Sequence, residues 1–452
     1  MSTVCVHGLG YIGLPTAAML ANYGHEIYGY DANSEVTNRL RNGTVHLDEP
    51  GLRAFVTEAL ESDRLQIVDG VRAAEYHVIC VPTPFDARRK IADLDYVTQA
   101  ARAIVPHLRP GDTVILESTV PPGTTEEDLL PILETSGMVA GEEFALAHCP
   151  ETVLPGNIVT ELKENNRIVG GVNRASADAA VRLYESFVEG EIRTTPDATT
   201  AEFVKLIQNT FRDTNIALAN EIAKIAHDYG VDSRRAIDLA NEHPRVDLLV
   251  PGPGVGGHCL PVDPWFLGHG SDRLELIATA RRVNDSMGRH VIDLLREEIG
   301  SLDGTKLAIL GVAYKGNVGD TRNSPGLRLA RELDRARTPS ERIAANTRRK
   351  DATPERPNRS PDGGSEEQNE DLSDVDVALH DPHVVDATLR LDSYESAIED
   401  ASAVIITADH DEFESIDPET SGQLVRRPVV VDTKGIIRTD EWSDAGWTVV
   451  RI

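Results

Sequence analysis

A glycine-rich turn near the amino terminus constrains the fold of this chain more than any other feature. The apolar run 3–7 predicts a strand, which the turn 8–13 and a helical pattern follow. Residues 26–30 then predict a second strand. In such a unit the first glycine permits a tight turn, the second lets backbone N–H groups approach a pyrophosphate, and the third lets helix and strand pack closely. The unit predicts a dinucleotide site at Gly8, Gly10, Tyr11, Ile12 and Gly13.

The residue that ends the second strand indicates which dinucleotide binds. A carboxylate at Asp31 would accept hydrogen bonds from the adenosine ribose hydroxyls and repel a 2′-phosphate, so NAD is favoured over NADP. Val81-Pro82-Thr83-Pro84 closes another predicted strand at the same carboxyl edge. This segment either lines the cofactor pocket through Thr83 or forms only a rigid turn.

The order of strand and helix patterns predicts an α/β fold. Further apolar strands at 77–81, 113–116, 144–147 and 167–169 alternate with helical stretches, which indicates a parallel doubly wound sheet. A long helical pattern covers 201–229, and a second alternation has strands at 307–310, 375–379, 403–407 and 429–431. We predict two Rossmann-like doubly wound lobes joined by a central helical region, with domains at 1–198, 199–300 and 301–452.

The segment 335–374 departs from this pattern because it is polar and charged. It contains Pro354, Pro357 and Pro361, and almost no residue in it could contribute to a core. We therefore predict a disordered surface insertion.

Charge and hydropathy exclude several classes of function. The formal net charge is −29, which argues against nucleic acid or an anionic membrane as a partner. The chain has no apolar run of about 18 residues, so no transmembrane helix is expected, and the first strand starts too early for a signal peptide to precede it. Only eight of the 45 basic residues are lysine. This composition indicates a halophilic protein, the alternative being an ordinary acidic one.

One of the four cysteines lies in a setting that suits chemistry. The spacing of Cys5, Cys80, Cys149 and Cys259 matches neither a zinc site nor a dense disulfide framework, and no metal site is predicted. Cys259 directly follows the glycine-rich loop 251–258, a turn that does not suit a buried apolar residue, and Asp263 follows four residues later. A thiolate there could attack a carbonyl, which requires a reducing compartment and hence the cytoplasm. A hydride acceptor together with a nucleophilic thiol suggests oxidation of an alcohol to an acid through a thioester.

The chain resembles the UDP-glucose/GDP-mannose dehydrogenases along nearly its whole length. The matching segments include Glu49-Pro50-Gly51-Leu52, Ser118-Thr119-Val120-Pro121-Pro122-Gly123-Thr124, Cys149-Pro150-Glu151, Lys205 with Asn209, Asn220-Glu221, the Cys259 loop, residues 310–315 and Asp320-Thr321-Arg322. The resemblance implies an NAD-dependent oxidation of a nucleotide sugar at C6, from alcohol to carboxylate. It also implies a homodimer or higher homo-oligomer that forms through the central helices.

The resemblance gives the remaining candidate residues their roles. Cys259 is the nucleophile, Lys205 and Asn209 share a helix face that could stabilise oxyanions, and Asp263 works with a water as base. Glu151 activates the hydrolytic water that Thr119 holds, and Thr119 also lies beside the cofactor. The predicted substrate contacts are Glu151, Lys205, Asn209, Arg245, Gly256, Lys315 and Arg322. For each side chain outside the glycine loop, the alternative is an ordinary solvated or ion-paired residue.

Two stretches resemble the branch of the family that oxidises UDP-N-acetyl-D-mannosamine. These are Val153-Leu154-Pro155-Gly156 with residues 161–171, and Gly257-His258-Cys259 with Val262-Asp263-Pro264-Trp265-Phe266. UDP-glucose enzymes usually carry different residues after the cysteine. The product, UDP-N-acetyl-D-mannosaminuronate, would serve surface polysaccharide or glycoprotein glycans. The alternatives are a UDP-glucose or UDP-N-acetylglucosamine 6-dehydrogenase and, in another class, a non-catalytic nucleotide-sugar binding protein.

Overall fold

A computed structural model of the chain describes residues 1–47, 49–154, 156–335 and 374–452. Apart from its two end residues, the insertion predicted at 335–374 lies outside this part of the chain. The described residues form two compact units. The first unit comprises residues 1–210 and 262–274, and the second comprises residues 211–261 and 275–452. The three-domain division at 198 and 300 stays a prediction.

The first unit alternates short strands with helices. Its strands are β1 (Thr3–His7), β2 (Glu26–Tyr30), β3 (Leu65–Val68), β4 (Tyr76–Ile79), β5 (Phe85–Asp86), β6 (Ile91–Ala92), β7 (Thr113–Leu116), β8 (Ala145–His148), β9 (Arg167–Gly171) and β10 (Ile192–Thr194). Its helices are α1 (Gly13–Asn22), α2 (Ser34–Arg41), α3 (Leu52–Glu61), α4 (Asp95–Ile104), a π-helix (Thr124–Leu129), α5 (Leu130–Leu133), α6 (Ile158–Glu164) and α7 (Arg174–Tyr184). Helix α8 (Ala198–Asp228) begins in this unit and ends in the second.

The sheet of the first unit has a Rossmann-like strand order. Among the described residues its eight strands follow the order β10-β9-β8-β7-β4-β1-β2-β3. The chain crosses over from β3 to β4 beside β1, and the carboxyl ends of β1 and β4 at this switch point are where doubly wound sheets bind ligands. Apolar residues cover both faces, because parallel strands are buried on both sides by helices.

The direction of β9 differs from the sequence prediction of a wholly parallel sheet. Strand β9 pairs antiparallel with β8, and β10 then pairs parallel with β9. The apolar runs that predicted these strands record burial on both faces, which does not distinguish the two directions.

The second unit contains a smaller parallel sheet with the order β12-β11-β13-β14-β15. Its strands are β11 (Lys306–Leu310), β12 (Asp376–His380), β13 (Ala403–Ile406), β14 (Val429–Asp432) and β15 (Thr448–Arg451). Its helices are α9 (Ser233–Asn241), α11 (Glu275–Asp285), α12 (Met287–Ile299), α13 (Pro325–Arg335), α14 (Tyr394–Ile398), α15 (Asp411–Glu414), α16 (Pro418–Gly422) and α17 (Thr439–Asp444). Helix α10 (Asp263–Leu267) belongs to the first unit. The predicted fold class is therefore confirmed, with two Rossmann-like sheets and a helical middle.

The described helices do not meet the requirements of a membrane-spanning segment. A membrane-spanning helix needs about 20 mostly apolar residues. None of the helices in the described ranges is both long enough and apolar enough to cross a membrane.

Candidate active site

The glycine turn after β1 has the geometry that a dinucleotide needs. Gly8 adopts a φ of +91°, and a Cβ atom there would lie 2.5 Å from the carbonyl oxygen of Cys80. A Cβ on Gly13 would lie 1.9 Å from the Gly8 carbonyl oxygen. Gly10, by contrast, faces open space within 4 Å. Gly8 and Gly13 therefore permit tight packing, while Gly10 leaves room for a phosphate beside the start of α1.

Asp31 lies immediately after β2, at the carboxyl edge of the sheet. Its carboxylate accepts hydrogen bonds from the backbone N–H of Leu9 (2.8 Å) and of Asn33 (2.8 Å). The first of these contacts ties Asp31 to the glycine turn itself. The carboxylate is thus held next to the turn, as a contact to the adenosine ribose requires.

The other predicted cofactor residues lie in neighbouring loops. The Thr83 hydroxyl donates to the carbonyl oxygen of Thr119 (2.8 Å), so the segments that follow β4 and β7 are joined at this edge. The Tyr11 hydroxyl contacts Glu49, whose second oxygen accepts a hydrogen bond from Gly156 N–H (2.8 Å). These residues fit an NAD site, and the contacts of Tyr11 and Thr83 with the cofactor stay predictions.

Removal of the Asp31 carboxylate should weaken NAD selectivity. In Asp31→Ser we expect kcat/KM for NAD to fall about 10- to 100-fold, because a charge-assisted hydrogen bond is lost, while NADP is used relatively better. The measurement is kcat/KM with both cofactors. Asp69→Ser is the matched control, since Asp69 follows the adjacent strand but pairs with Arg41 at 2.6 Å. Equal effects of the two substitutions would contradict the assignment.

Four predicted catalytic side chains meet in the interior of the first unit. The Asn209 amide donates to the Asp263 carboxylate (2.6 Å), and the Lys205 ammonium interacts electrostatically with both Asp263 and Glu151. Each of the four is at most 9% exposed. Lys205 and Asn209 lie one turn apart on α8, as predicted. Both also lie near carboxylates that are distant in sequence, Asp263 for Asn209 and both Asp263 and Glu151 for Lys205.

Burial controls the protonation of these carboxylates. Burial raises the pKa of Asp263 to about 6, although the Asn209 hydrogen bond and the Lys205 charge oppose the rise. Burial also raises the pKa of Glu151, and the Lys205 charge again opposes it. With a pKa of about 6, Asp263 is suited to exchange protons near neutral pH, and the pKa of Glu151 is shifted in the same direction.

An apolar cluster fixes Asp263 against α8. Val262 and Phe266, which flank the start of α10, pack with Leu206 from α8. Phe85 and Ala92 of the hairpin β5–β6 complete the contact. Asp263 is therefore placed beside Asn209 by its apolar neighbours, and Pro264 fits the first turn of α10 because its missing N–H is not needed there.

Glu202 supports the Thr119 loop and was not identified from the sequence. Its carboxylate accepts hydrogen bonds from the backbone N–H groups of Gly123 (2.6 Å) and Thr125 (2.8 Å), and from the Thr125 hydroxyl (2.6 Å). Burial raises the pKa of Glu202 to about 7, against these hydrogen bonds. Its position one turn before Lys205 on the same helix was the available signal.

Another buried carboxylate, Glu117, lies directly after β7. It accepts hydrogen bonds from the Tyr184 hydroxyl (2.8 Å) and the Cys80 thiol (3.0 Å), and Arg167 lies 3.6 Å away as its counter-ion. Arg167 is also one of the charges that lower the pKa of Glu151. The network therefore holds a cation whose charge acts on the predicted water-activating carboxylate.

The Cys259 loop belongs to the second unit and is shaped by close packing. Gly257 N–H donates to the Arg322 carbonyl oxygen (2.8 Å), and the Asn323 amide donates to the Gly257 carbonyl oxygen (2.9 Å). A Cβ on Gly256 would lie 2.7 Å from Tyr314 Cβ, so this glycine is required for packing. A substrate contact by Gly256 stays a prediction. Cys259 itself is exposed, whereas the other three cysteines are buried or half-buried.

The predicted substrate-binding cations of the second unit differ in environment. Arg322 forms an ion pair with Asp320 (2.6 Å) and interacts with the charge of Cys259. Lys315 is exposed on the turn after β11, and Arg245 is exposed after α9. Their contacts to substrate stay predictions. Burial and the Arg322 charge lower the pKa of His258, so its neutral form is favoured beside the thiol.

Comparisons with known proteins identify the class of this enzyme. Models of the UDP-glucose/GDP-mannose dehydrogenase family match over residues 2–188 (NAD binding domain), 199–286 (central domain) and 370–439 (UDP binding domain). The chain belongs to the UDP-glucose/GDP-mannose dehydrogenase family. It is therefore an NAD-dependent nucleotide-sugar dehydrogenase, as the sequence predicted.

Individual relatives narrow the comparison. A UDP-N-acetyl-D-mannosamine dehydrogenase of Methanococcus maripaludis is 40% identical over 454 residues, with 99% of this chain and 96% of the relative covered. An NDP-N-acetyl-D-galactosaminuronic acid dehydrogenase of Ralstonia nicotianae is 37% identical, with 96% of each covered. The solved UDP-D-ManNAc dehydrogenase of Pyrococcus horikoshii has a TM-score of 0.85 at 38% identity, with 100% of this chain and 99% of that one covered.

Proposed function

We propose that this protein oxidises the C6 alcohol of UDP-N-acetyl-D-mannosamine to a carboxylate in two steps. The observation that carries the chemistry is the buried contact of Asn209 with Asp263 in the field of Lys205, four residues along the chain from the exposed thiol of Cys259. The similarity to enzymes that act on N-acetylated sugars supports the substrate.

The first step removes a proton and a hydride from the C6 alcohol. Asp263, ionised above its pKa of about 6, takes the hydroxyl proton through a water molecule. The Lys205 ammonium and the Asn209 amide stabilise the developing alkoxide. NAD supplies the hydride acceptor for each oxidation when it is bound at the glycine turn. The product of this step is an aldehyde.

The thiol retains the aldehyde for the second step. The Cys259 thiolate adds to C6, and the carbonyl electron pair moves to oxygen, so that a thiohemiacetal forms. Loss of the remaining C6 hydrogen as hydride gives a thioester. Glu151 then takes a proton from a water that Thr119 holds, and the hydroxide adds to C6. The C–S bond breaks to release the carboxylic acid and the thiolate, and the acid then loses its proton to solvent to give the carboxylate.

A panel of sugar nucleotides tests the substrate. With UDP-N-acetyl-D-mannosamine we expect two NADH per sugar and a kcat/KM at least about tenfold above those for UDP-N-acetylglucosamine, UDP-N-acetylgalactosamine and UDP-glucose. NADH absorbance and the mass of the product are the measurements, made in both low and high salt because the acidic surface indicates a halophilic protein. Preference for another sugar would reassign the substrate, and no NADH with any sugar would favour a binding protein.

We further propose a cytoplasmic homodimer. Helix α8 exposes Phe211, Leu218 and Ile225, which recur every seven residues and are each at least half exposed. The proposed catalytic role of the Cys259 thiolate also favours a reducing compartment. Sedimentation velocity should give a dimer for the wild type and a monomer for Leu218→Glu. A monomeric wild-type protein would contradict the proposal.

A further inference from the structure

A row of buried, hydrogen-bonded polar side chains connects α8 and α11 with the start of the Cys259 loop. The Asn220 amide oxygen accepts a hydrogen bond from Gly252 N–H (2.8 Å), and its amide nitrogen donates to Asn284 (2.9 Å). Asn284 in turn donates to the carboxylate of Asp213 (2.9 Å), which also pairs with Arg281. The four side chains are at most 2% exposed, and all of them belong to the second unit.

The Asp213 carboxylate, at one end of this row, determines how each side-chain amide is oriented. An ionised Asp213 only accepts hydrogen bonds, so Asn284 must direct its NH₂ group towards it. Asn284 therefore directs its amide oxygen towards Asn220, and Asn220 donates a hydrogen bond to it from its own NH₂ group. The oxygen of Asn220 is then left facing the loop, where it matches the N–H of Gly252. The orientation of Asn220 is thus fixed from outside the loop.

The loop is held at both ends while the thiol remains accessible. Residues 251–253 are buried, and the side-chain oxygen of Asn220 accepts a hydrogen bond from the backbone N–H of Gly252. At the other end Gly257 N–H donates to the Arg322 carbonyl oxygen, and the Gly257 carbonyl oxygen accepts a hydrogen bond from the Asn323 side chain. Cys259, two residues further on, is exposed. A thiol that must reach one carbon atom benefits from such a fixed loop, since a misplacement of about 1 Å can cost about 10²-fold in rate.

We infer that Asn220, oriented by Asn284 and Asp213, is a positioning residue that holds the Cys259 loop for attack on the aldehyde. The inference rests on the proposed function. Oxidation of the alcohol does not use the thiol, whereas formation of the C–S bond does. A loosened loop should therefore spare the first oxidation and slow the second, so that the aldehyde leaves the enzyme.

The test compares Asn220→Ala with Lys224→Ala. Lys224 also links α8 to the turn after α11, but its ammonium donates to Ser286 (2.8 Å), which lies outside the loop. For Asn220→Ala we expect carboxylate formation to fall about 10- to 100-fold, with aldehyde trapped by hydroxylamine and the first NADH formed near the wild-type rate. Lys224→Ala should release no aldehyde.

Hydrogen exchange gives a second measurement that does not depend on activity. The amide of Gly252 should exchange faster in Asn220→Ala, and in Asn284→Ala if the first variant does not fold, but not in Lys224→Ala. Unchanged exchange, or equal loss of both oxidations without aldehyde, would overturn the inference. If wild-type protein forms no NADH with any sugar, the proposed function fails, while the exchange measurement still decides whether Asn220 holds the loop.

Discussion

Replacement of Cys259 by serine is expected to lower steady-state formation of the carboxylate by at least about 10³-fold. A serine hydroxyl has a far higher pKa than a thiol, so at neutral pH it adds to an aldehyde far more weakly than a thiolate does. The alcohol oxidation does not need the thiol, so single-turnover NADH formation should persist. The measurement is the ratio of the single-turnover to the steady-state rate, with product identified by mass.

Alkylation of the wild-type protein provides the control. Iodoacetamide should modify Cys259 selectively, because burial raises the thiol pKa of both Cys5 and Cys149 to about 11. Activity should fall in proportion to modification of Cys259. Full carboxylate formation by Cys259→Ser would remove the thioester from the mechanism.

Replacement of Asp263 by asparagine is expected to lower kcat about 10²- to 10⁴-fold and to change the pH profile. In the wild type the base must be ionised, so the rate should fall tenfold per pH unit below the Asp263 pKa of about 6. The variant has no group to titrate at this position, and its residual rate should lack that limb. Rates measured from pH 5 to 8 with saturating substrate check this.

Two neighbouring substitutions separate Asp263 from Glu151. In Asn209→Ala the hydrogen bond that lowers the Asp263 pKa is lost, so the acid limb should move to higher pH. In Glu151→Gln the limb of the first oxidation should remain, while thioester accumulates on Cys259 because its hydrolysis is slowed. An unchanged acid limb in Asp263→Asn would assign the base to another group.

Local patterns in the sequence were sufficient for much of the fold. Glycine spacing after an apolar run specifies the turn 8–13, because only residues without Cβ fit beside Cys80 and inside the first turn of α1. The separation of Lys205 and Asn209 by four residues follows from helix geometry alone. These features depend on neighbours in the chain, which a sequence displays directly.

Contacts between distant segments could not be obtained in this way. The pairing of Asn209 with Asp263 bridges 54 residues and depends on how Phe266 and Leu206 pack. Glu202 and Asn220 have residue types that are common on solvated helix faces, so their burial is visible only in the folded chain. The family resemblance includes Asn220 in a matching segment, but it did not predict that Asn220 or Glu202 supports a loop.

The antiparallel direction of β9 has a consequence for efforts to rebuild this sheet. Because the strand runs backwards relative to β8, its first residue, Arg167, reaches the edge where Glu117 and Glu151 lie. A parallel strand in the same place would bring its last residue there instead, and the guanidinium would be lost from the site. A transplanted or redesigned version of this domain must therefore preserve chain polarity as well as strand order, since the electrostatics of the site depend on the path of the backbone.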